Sequence, residues 1–213
     1  MKLWHCTGAR SLRALWALEE LGLPYEVHVM KFPPRIFEKS FLDANPLGTI
    51  PYFEDGETRM TESTGICHYL VERYGKHEFG LQPDHPQYGA YLNWLYHSDA
   101  TLTFPQTIAL RYFILEPTPE KQPVGVDYGK WFFARLRMLD ARLADHDWLV
   151  DDRFTIADIA VGFALVLAES IQLGERCGRS FEPQTAAYLA RLRARPAFQR
   201  ADAIRESTSS AGS

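Results

Sequence analysis

Apolar and polar positions change their spacing several times along the first 75 residues, and each change marks an element. Lys2 to Cys6 is a short strand candidate. From Ser11 to Leu21, residues Leu12, Leu15, Trp16 and Leu18 fall at helical spacing, and Gly22 stops the run. Tyr25, Val27 and Val29 alternate with Glu26, His28 and Met30, the period of a strand. Arg35 to Asp43 predicts a short, irregular helix ahead of Asn45-Pro46. Pro51-Tyr52-Phe53, the turn pair Asp55-Gly56 and the return from Glu57 to Met60 read as a hairpin. Thr64 to Tyr74 then predicts a helix with Ile66, Tyr69, Leu70 and Val71 apolar.

Gly75 to Pro86 is polar, with two prolines and two glycines, and reads as a linker. Beyond it the spacing is helical throughout. Tyr88 to Leu115 predicts a long helix, interrupted or kinked near Pro105. Asp127 to Asp145 predicts another, and Ile156 to Ile171 is apolar enough to be a buried central helix. Tyr188 to Leu192 and the stretch from Pro196 onward give short terminal helices, and the small polar residues Ser207 to Ser213 read as a frayed end. The order βαβ, α, ββα, followed by helices alone, predicts a fold of class α/β plus all-α. A thioredoxin-like N-terminal domain spans residues 1–76, a linker 77–86, and an all-helical bundle domain 87–213.

Composition narrows the function more than the fold. A length of 213 residues with 46% hydrophobic positions supports a substantial core. The net charge of −4 supplies no basic footprint for nucleic acid. Cys6, Cys67 and Cys177 lack metal-ligand spacing, and the histidines show no paired zinc pattern, so no metal is expected. An odd cysteine count, no signal-peptide core at Met1–His5 and no run of transmembrane length point to a cytoplasmic protein with no membrane partner.

The chemistry concentrates in residues 45 to 63. Pro51 at a strand start removes a ladder donor, and a cis Ile50–Pro51 bond would turn the Ile50 N–H and C=O out of the sheet to pair with another backbone. Glu62-Ser63-Thr64-Gly65 sits where a helix begins. The N–H groups of a helix start bind carboxylates, and an acidic side chain there takes an ammonium. Together these describe a receptor for an amino-acid-like group at one end of a peptide backbone.

That arrangement resembles the glutathione site of the glutathione S-transferases. The resemblance covers nearly the whole chain: Leu3-Trp4-His5, Gly8-Ala9-Arg10-Ser11, Leu21-Gly22-Leu23-Pro24-Tyr25-Glu26, Asn45-Pro46-Leu47-Gly48, Ile50-Pro51, Glu62-Ser63 and Phe154-Thr155-Ile156-Ala157-Asp158. It implies an enzyme in which bound glutathione, as co-substrate, attacks a small hydrophobic electrophile through its thiolate. It also implies a detoxifying role and a homodimer. Glu62 and Ser63 would hold the γ-glutamyl ammonium and carboxylate, and Ile50, with Pro51 cis, the cysteinyl backbone. Lys31, Arg35 and Lys39 are equal candidates for the glycyl carboxylate. The alternative is a non-catalytic or weakly catalytic glutathione-binding or regulatory protein of the same fold.

An unperturbed thiol is mostly protonated near neutrality, so such an enzyme must stabilise the thiolate. Three residues compete for that catalytic role at the strand-to-helix junction: Ser11, Arg10 and Thr7. Ser11 carries a hydroxyl at the first turn and suits an ordinary helix cap equally well. Arg10 stands where the beta class of the family has a cysteine after the same Gly-Ala pair, and an arginine of the alpha class aligns near it. A guanidinium there stabilises the anion. A serine of the theta class falls near Thr7. No tyrosine ends the strand, where several classes carry theirs. Thr155 and Asp158 read as a structural capping box. Tyr91, Trp94, Tyr96, Phe104, Tyr112 and Phe113 divide between core or dimer contacts and a wall for the electrophile.

Overall fold

In a computed structural model that describes residues 1–204, the first strand, β1 (Lys2–His5), runs into α1 (Ser11–Leu21) through a short turn. The expectation for Ser207 to Ser213 lies outside the described residues. Helix α1 ends as its sequence requires: Gly22 takes the left-handed conformation at φ 63° and its N–H bonds the Leu18 carbonyl. Strand β2 (Glu26–Val29) lies parallel to β1, with Leu3 opposite Val27. The helix expected over residues 35–43 is two single turns, α2 (Pro34–Phe37) and α3 (Phe41–Ala44). They separate at Glu38, which leaves the helical region at φ −130° and turns its carboxylate toward His28, 3.1 Å away.

Strands β3 (Tyr52–Asp55) and β4 (Thr58–Met60) form the hairpin around Gly56, and α4 (Ser63–Arg73) follows. The sheet order is β2-β1-β3-β4, with β1 antiparallel to β3 and β3 antiparallel to β4. This four-stranded mixed sheet with covering helices is the thioredoxin-like architecture. Its core is built from Leu3, Phe53, Leu15, Trp16, Ile66 and Leu70, all completely buried.

The second unit, Lys76–Ala194, is helical. It comprises α5 (Tyr88–His97), α6 (Phe104–Leu110), α7 (Gln122–Arg135), α8 (Arg137–Leu143), α9 (Ile156–Ser170), α10 (Leu173–Cys177) and α11 (Pro183–Arg193). The long helix predicted over 88–115 does not simply kink at Pro105. It widens into π-helical turns at Ser98–Thr103 and Arg111–Leu115. Side chains satisfy carbonyls near the first widened turn: Thr103 Oγ1 donates to the Ser98 carbonyl at 2.7 Å, and Gln106 Nε2 to Leu102 at 3.1 Å and Ala164 at 2.9 Å. Apolar spacing also continues past Leu136, where α7 and α8 part, so the break is not visible in the sequence.

The last helix, α12 (Pro196–Ala203), belongs to the first unit and not to the helical one. Phe198 meets Trp16 edge-on with ring centroids 4.9 Å apart, and Arg195 forks onto both carboxylate oxygens of Glu20 at 2.5 and 2.8 Å. Both contacts reach back more than 170 residues, so a boundary drawn from local spacing assigns this helix to its neighbours in sequence. Residues 77–86, read as a linker, fall with the helical unit. Arg153 ties this segment to the 150–153 turn by donating to the carbonyls of Glu78 and Gly80.

Candidate functional site

The turn between β1 and α1 begins on a completely buried Cys6 and rises into an exposed Thr7 and Gly8. Gly8 sits at φ 74°, a conformation that favours glycine. Arg10, half-buried, caps α1 with helical dihedrals (φ −56°, ψ −20°), and its side chain makes no capping bond. Ser11 departs from the expectation that it caps the helix or points outward. It is 0% exposed; its Oγ lies 2.9 Å from His5 Nδ1 and accepts the Cys6 N–H at 3.2 Å. Because Arg10 takes the cap position, Ser11 is already the first residue of the helix, and its hydroxyl folds back onto the strand. In this structure that hydroxyl is committed inward.

A second loop is shaped by Asn45, which is buried. Its Oδ1 accepts the Leu47 N–H at 3.2 Å and its Nδ2 donates to the Thr49 carbonyl at 2.9 Å. Gly48 lies at φ 60°, and a Cβ on it would come within 2.8 Å of the Arg35 Cβ, so only glycine fits. This turn delivers Ile50, whose peptide bond to Pro51 is cis. Among the described residues the Ile50 N–H and C=O take no backbone partner. Its side chain packs on the cluster of Trp4, Cys6, Met30, Phe41 and Tyr52, against which Ala9 of the first turn also packs. The two loops thus share one foundation.

The start of α4 is the third piece. Glu62 is its cap residue, extended at φ −89°, ψ 112°, and its exposed side chain makes no capping bond. Its nearest hydrogen-bond contact is a long one from Thr61 Oγ1 at 3.4 Å. Ser63 is buried, and its Oγ accepts a bond of 3.0 Å from Nη1 of Arg13. Arg13 itself is 0% exposed within α1. A charged donor thus occupies the Ser63 oxygen from beneath and leaves the hydroxyl proton to point elsewhere. The N–H groups of the first turn have no acceptor inside their own helix. The arrangement offers an acid, a hydroxyl and helix-end N–H groups side by side, fit for a zwitterionic ammonium and carboxylate.

Sequence reasoning passed over Arg13 and His5. A charged residue inside the buried run from Ser11 to Leu18 was the available signal for Arg13. His5 offered none, because a histidine ending a strand fits many surroundings. Lys31, Arg35 and Lys39 are all exposed, and nothing in their placement selects one. Of the aromatics on the long helical stretch, Tyr91, Trp94 and Phe113 are buried in the helical unit, whereas Tyr96 and Phe104 are exposed. Among the described residues no group of His, Cys, Asp or Glu side chains is arranged to hold a metal, and no helix is long and apolar enough to cross a membrane.

The chain matches the family model of the glutathione S-transferase N-terminal domain over residues 6–78 and that of the C-terminal domain over residues 130–196. The glutathione S-transferase-like protein gedE of Aspergillus terreus is 30% identical over 186 residues, covering 81% of this chain and 80% of that protein. Glutathione S-transferase 3 of Schizosaccharomyces pombe is 26% identical over 188 residues, covering 82% and 76%. The structure of Ure2p5 from Phanerochaete chrysosporium, cocrystallized with 1-(S-glutathionyl)-2,4-dinitrobenzene, superposes with a TM-score of 0.79 at 25% identity, covering 94% of this chain and 91% of that one.

Proposed function

The chain belongs to the glutathione S-transferase family, and on that premise we propose that it binds glutathione at the start of α4 and directs its thiolate at a small hydrophobic electrophile. The observation that carries this reading is the open start of α4. Glu62 makes no bond that would cap its own helix, and Ser63 is held from behind by a fully buried Arg13. In this reading Glu62 takes the γ-glutamyl ammonium. Ser63 and the first-turn N–H groups take the carboxylate, and the Ile50 backbone pairs with the cysteinyl residue. Catalysis then consists of lowering the thiol pKa and placing sulfur beside the electrophile.

Arg10 is the strongest candidate for the charge that stabilises the thiolate. A cation at a helix N-terminus opposes the helix dipole, so an anion arriving at that point relieves it. Thr7, exposed on the same turn, and the N–H groups of the turn are candidates for the direct hydrogen bond. The protein is further proposed to act as a cytoplasmic homodimer, which sedimentation equilibrium at micromolar concentration checks.

The inward commitment of Ser11 favours a second reading, a glutathione-binding protein with little turnover, because it removes one hydroxyl donor from the sulfur. Calorimetric titration with glutathione, beside a steady-state assay with chlorodinitrobenzene, separates the two. Binding with turnover is expected; binding without turnover selects the second reading, and no binding defeats both.

A further inference from the structure

We infer that the buried His5–Ser11 pair positions the Thr7–Arg10 turn against the glutathione sulfur, a role that rests on the glutathione site proposed above. His5 is the last residue of β1 and 1% exposed; Ser11 is the first residue of α1 and 0% exposed. The contact between their side chains, 2.9 Å from Nδ1 to Oγ, spans the base of the turn. Two further bonds close the same base: the Cys6 N–H onto Ser11 Oγ at 3.2 Å, and the Ala9 N–H onto the Cys6 carbonyl at 3.1 Å. The His5 carbonyl in turn accepts the Met30 N–H at 2.8 Å, which fixes the strand end to the neighbouring chain segment.

The hydrogen-bond inventory dictates how the pair works. Ser11 Oγ accepts the Cys6 N–H and is joined to His5 Nδ1 by one further hydrogen bond, whose direction follows the imidazole tautomer. The imidazole thereby locks a hydroxyl rotor that would otherwise turn freely. The alternative acceptor, the Cys6 carbonyl at 3.4 Å, is much farther. Two buried polar side chains cost desolvation that an apolar pair would avoid. Here they do not cap α1, whose cap residue Arg10 makes no side-chain capping bond. What they supply is a fixed geometry for four residues, of which Gly8 lies at φ 74° and Thr7 and Arg10 are the proposed sulfur contacts. Displacing a catalytic contact by about 1 Å can cost on the order of a hundredfold in rate, so a turn held only by its backbone would be a poor platform. His5 and Ser11 are positioning residues and do not touch the sulfur.

The test uses the full chain and the variants Ser11→Ala, His5→Leu and His5→Asn, the last of which offers an amide oxygen where Nδ1 stood. Three quantities are measured: kcat with chlorodinitrobenzene, the ultraviolet titration of bound thiolate, and affinity for S-methylglutathione, which has no thiol to ionise. Ser11→Ala and His5→Leu should each lower kcat about ten- to a hundredfold and raise the pKa of the bound thiol. S-methylglutathione affinity should stay within about twofold, well inside the tenfold that 1.4 kcal/mol represents. The double variant should be no worse than either single one, as expected of groups acting as a unit. His5→Asn should recover most of the rate, and it decides the matter against His5→Leu should Ser11→Ala fail to fold. Thiol titration unmoved in the folded variants, or a His5→Asn no better than His5→Leu, overturns the role while leaving the glutathione site intact. A wild-type protein that binds no glutathione removes the site itself, and this role with it.

Discussion

Helices α4 and α9 both begin with a hydroxyl residue and an acid close together, yet one start is closed on itself and the other is left open. At α9, Thr155 Oγ1 accepts the Ala157 N–H at 3.2 Å, and Asp158 reaches back to the Thr155 N–H at 2.8 Å. The other carboxylate oxygen of Asp158 accepts the Leu149 N–H at 3.2 Å and the Tyr188 hydroxyl at 2.8 Å. All of it is buried. At α4 the acid precedes the hydroxyl, and Glu62 is exposed and caps nothing. The difference is one of order and length. An acid three residues into a helix can reach back to the cap N–H, whereas glutamate at the cap position is not among the side chains suited to bond its own first turn. The same residue types therefore close the helix start at α9 and leave it open at α4.

The largest way to break this comparison is at the closed end. Asp158→Ala would leave the N–H groups of Thr155 and Leu149 and the Tyr188 hydroxyl buried without their acceptor. At about 1–3 kcal/mol per stranded group, partly offset by relaxation, the loss should be on the order of 3–5 kcal/mol. Urea unfolding measures it, and a loss below about 1 kcal/mol would mean that the box is incidental to the fold.

The pH dependence of the same residue is a smaller effect of opposite sense to ordinary acid denaturation. Burial raises the Asp158 carboxyl to about 6, against the pull of its hydrogen-bond donors. In the unfolded chain it titrates near 4. Between about pH 4 and 6 the folded protein therefore holds a proton that the unfolded chain has released. This group's contribution to stability thus grows as pH falls through that window, by up to ~3 kcal/mol. Asp55 and Asp151 are shifted the other way by their hydrogen-bonded tyrosines and arginine, so their contributions are lost at lower pH, outside this window. Burial lowers the His97 pKa, so its contribution runs the opposite way in the same range; from about pH 6 to 4, Asp158→Asn should gain less unfolding free energy, or lose more, than the wild type. Equal slopes would contradict the assignment.

How much of each start was legible follows from the distances in sequence between partners. Thr155 and Asp158 are three residues apart, so their box could be read directly. The acid and hydroxyl at 62 and 63 were legible as chemistry at a helix start. The residue that orients Ser63 was not, because Arg13 lies 50 positions away. Ser11 illustrates a different failure: its spacing suits a cap, but Arg10 takes that position, and Ser11, the first residue of α1, turns toward His5. The four strands and the first and last helical runs followed from spacing alone. The widened turns before and after α6, the return of α12 to α1 and the five-residue α10 depend on tertiary partners that no local pattern encodes.

At the open end the comparison predicts loss of binding without loss of fold. Glu62→Ala should weaken glutathione affinity by about 1–3 kcal/mol, the range for a charge-assisted bond. Unfolding should shift by less than about 0.5 kcal/mol, because the side chain is exposed and caps nothing. Calorimetry and urea unfolding on the same variant give both numbers. Unchanged affinity would remove Glu62 from the site, and a large stability loss would show that α4 needs its acid as α9 does.

The smallest expected effect lies at a third helix start, that of α1, where the cap residue is a cation. Arg10 makes no side-chain capping bond, and its charge opposes the helix dipole by about 0.3–1 kcal/mol in typical cases. If that charge serves a bound thiolate, Arg10→Ala should raise the pKa of bound glutathione by about one unit, equivalent to ~1.4 kcal/mol. The rate should then fall about tenfold at pH values below that pKa and recover above it, because the missing charge stabilises only the anion. Glutathione affinity should change little, since the γ-glutamyl contacts of α4 are untouched. On the proposed reading the three starts would then differ in role: Asp158 for stability, Glu62 for affinity and Arg10 for ionisation. Thiolate absorbance titrated in the variant decides the point. An unshifted curve would transfer the role to Thr7 or to the N–H groups of the turn, whose contribution does not depend on a side-chain charge.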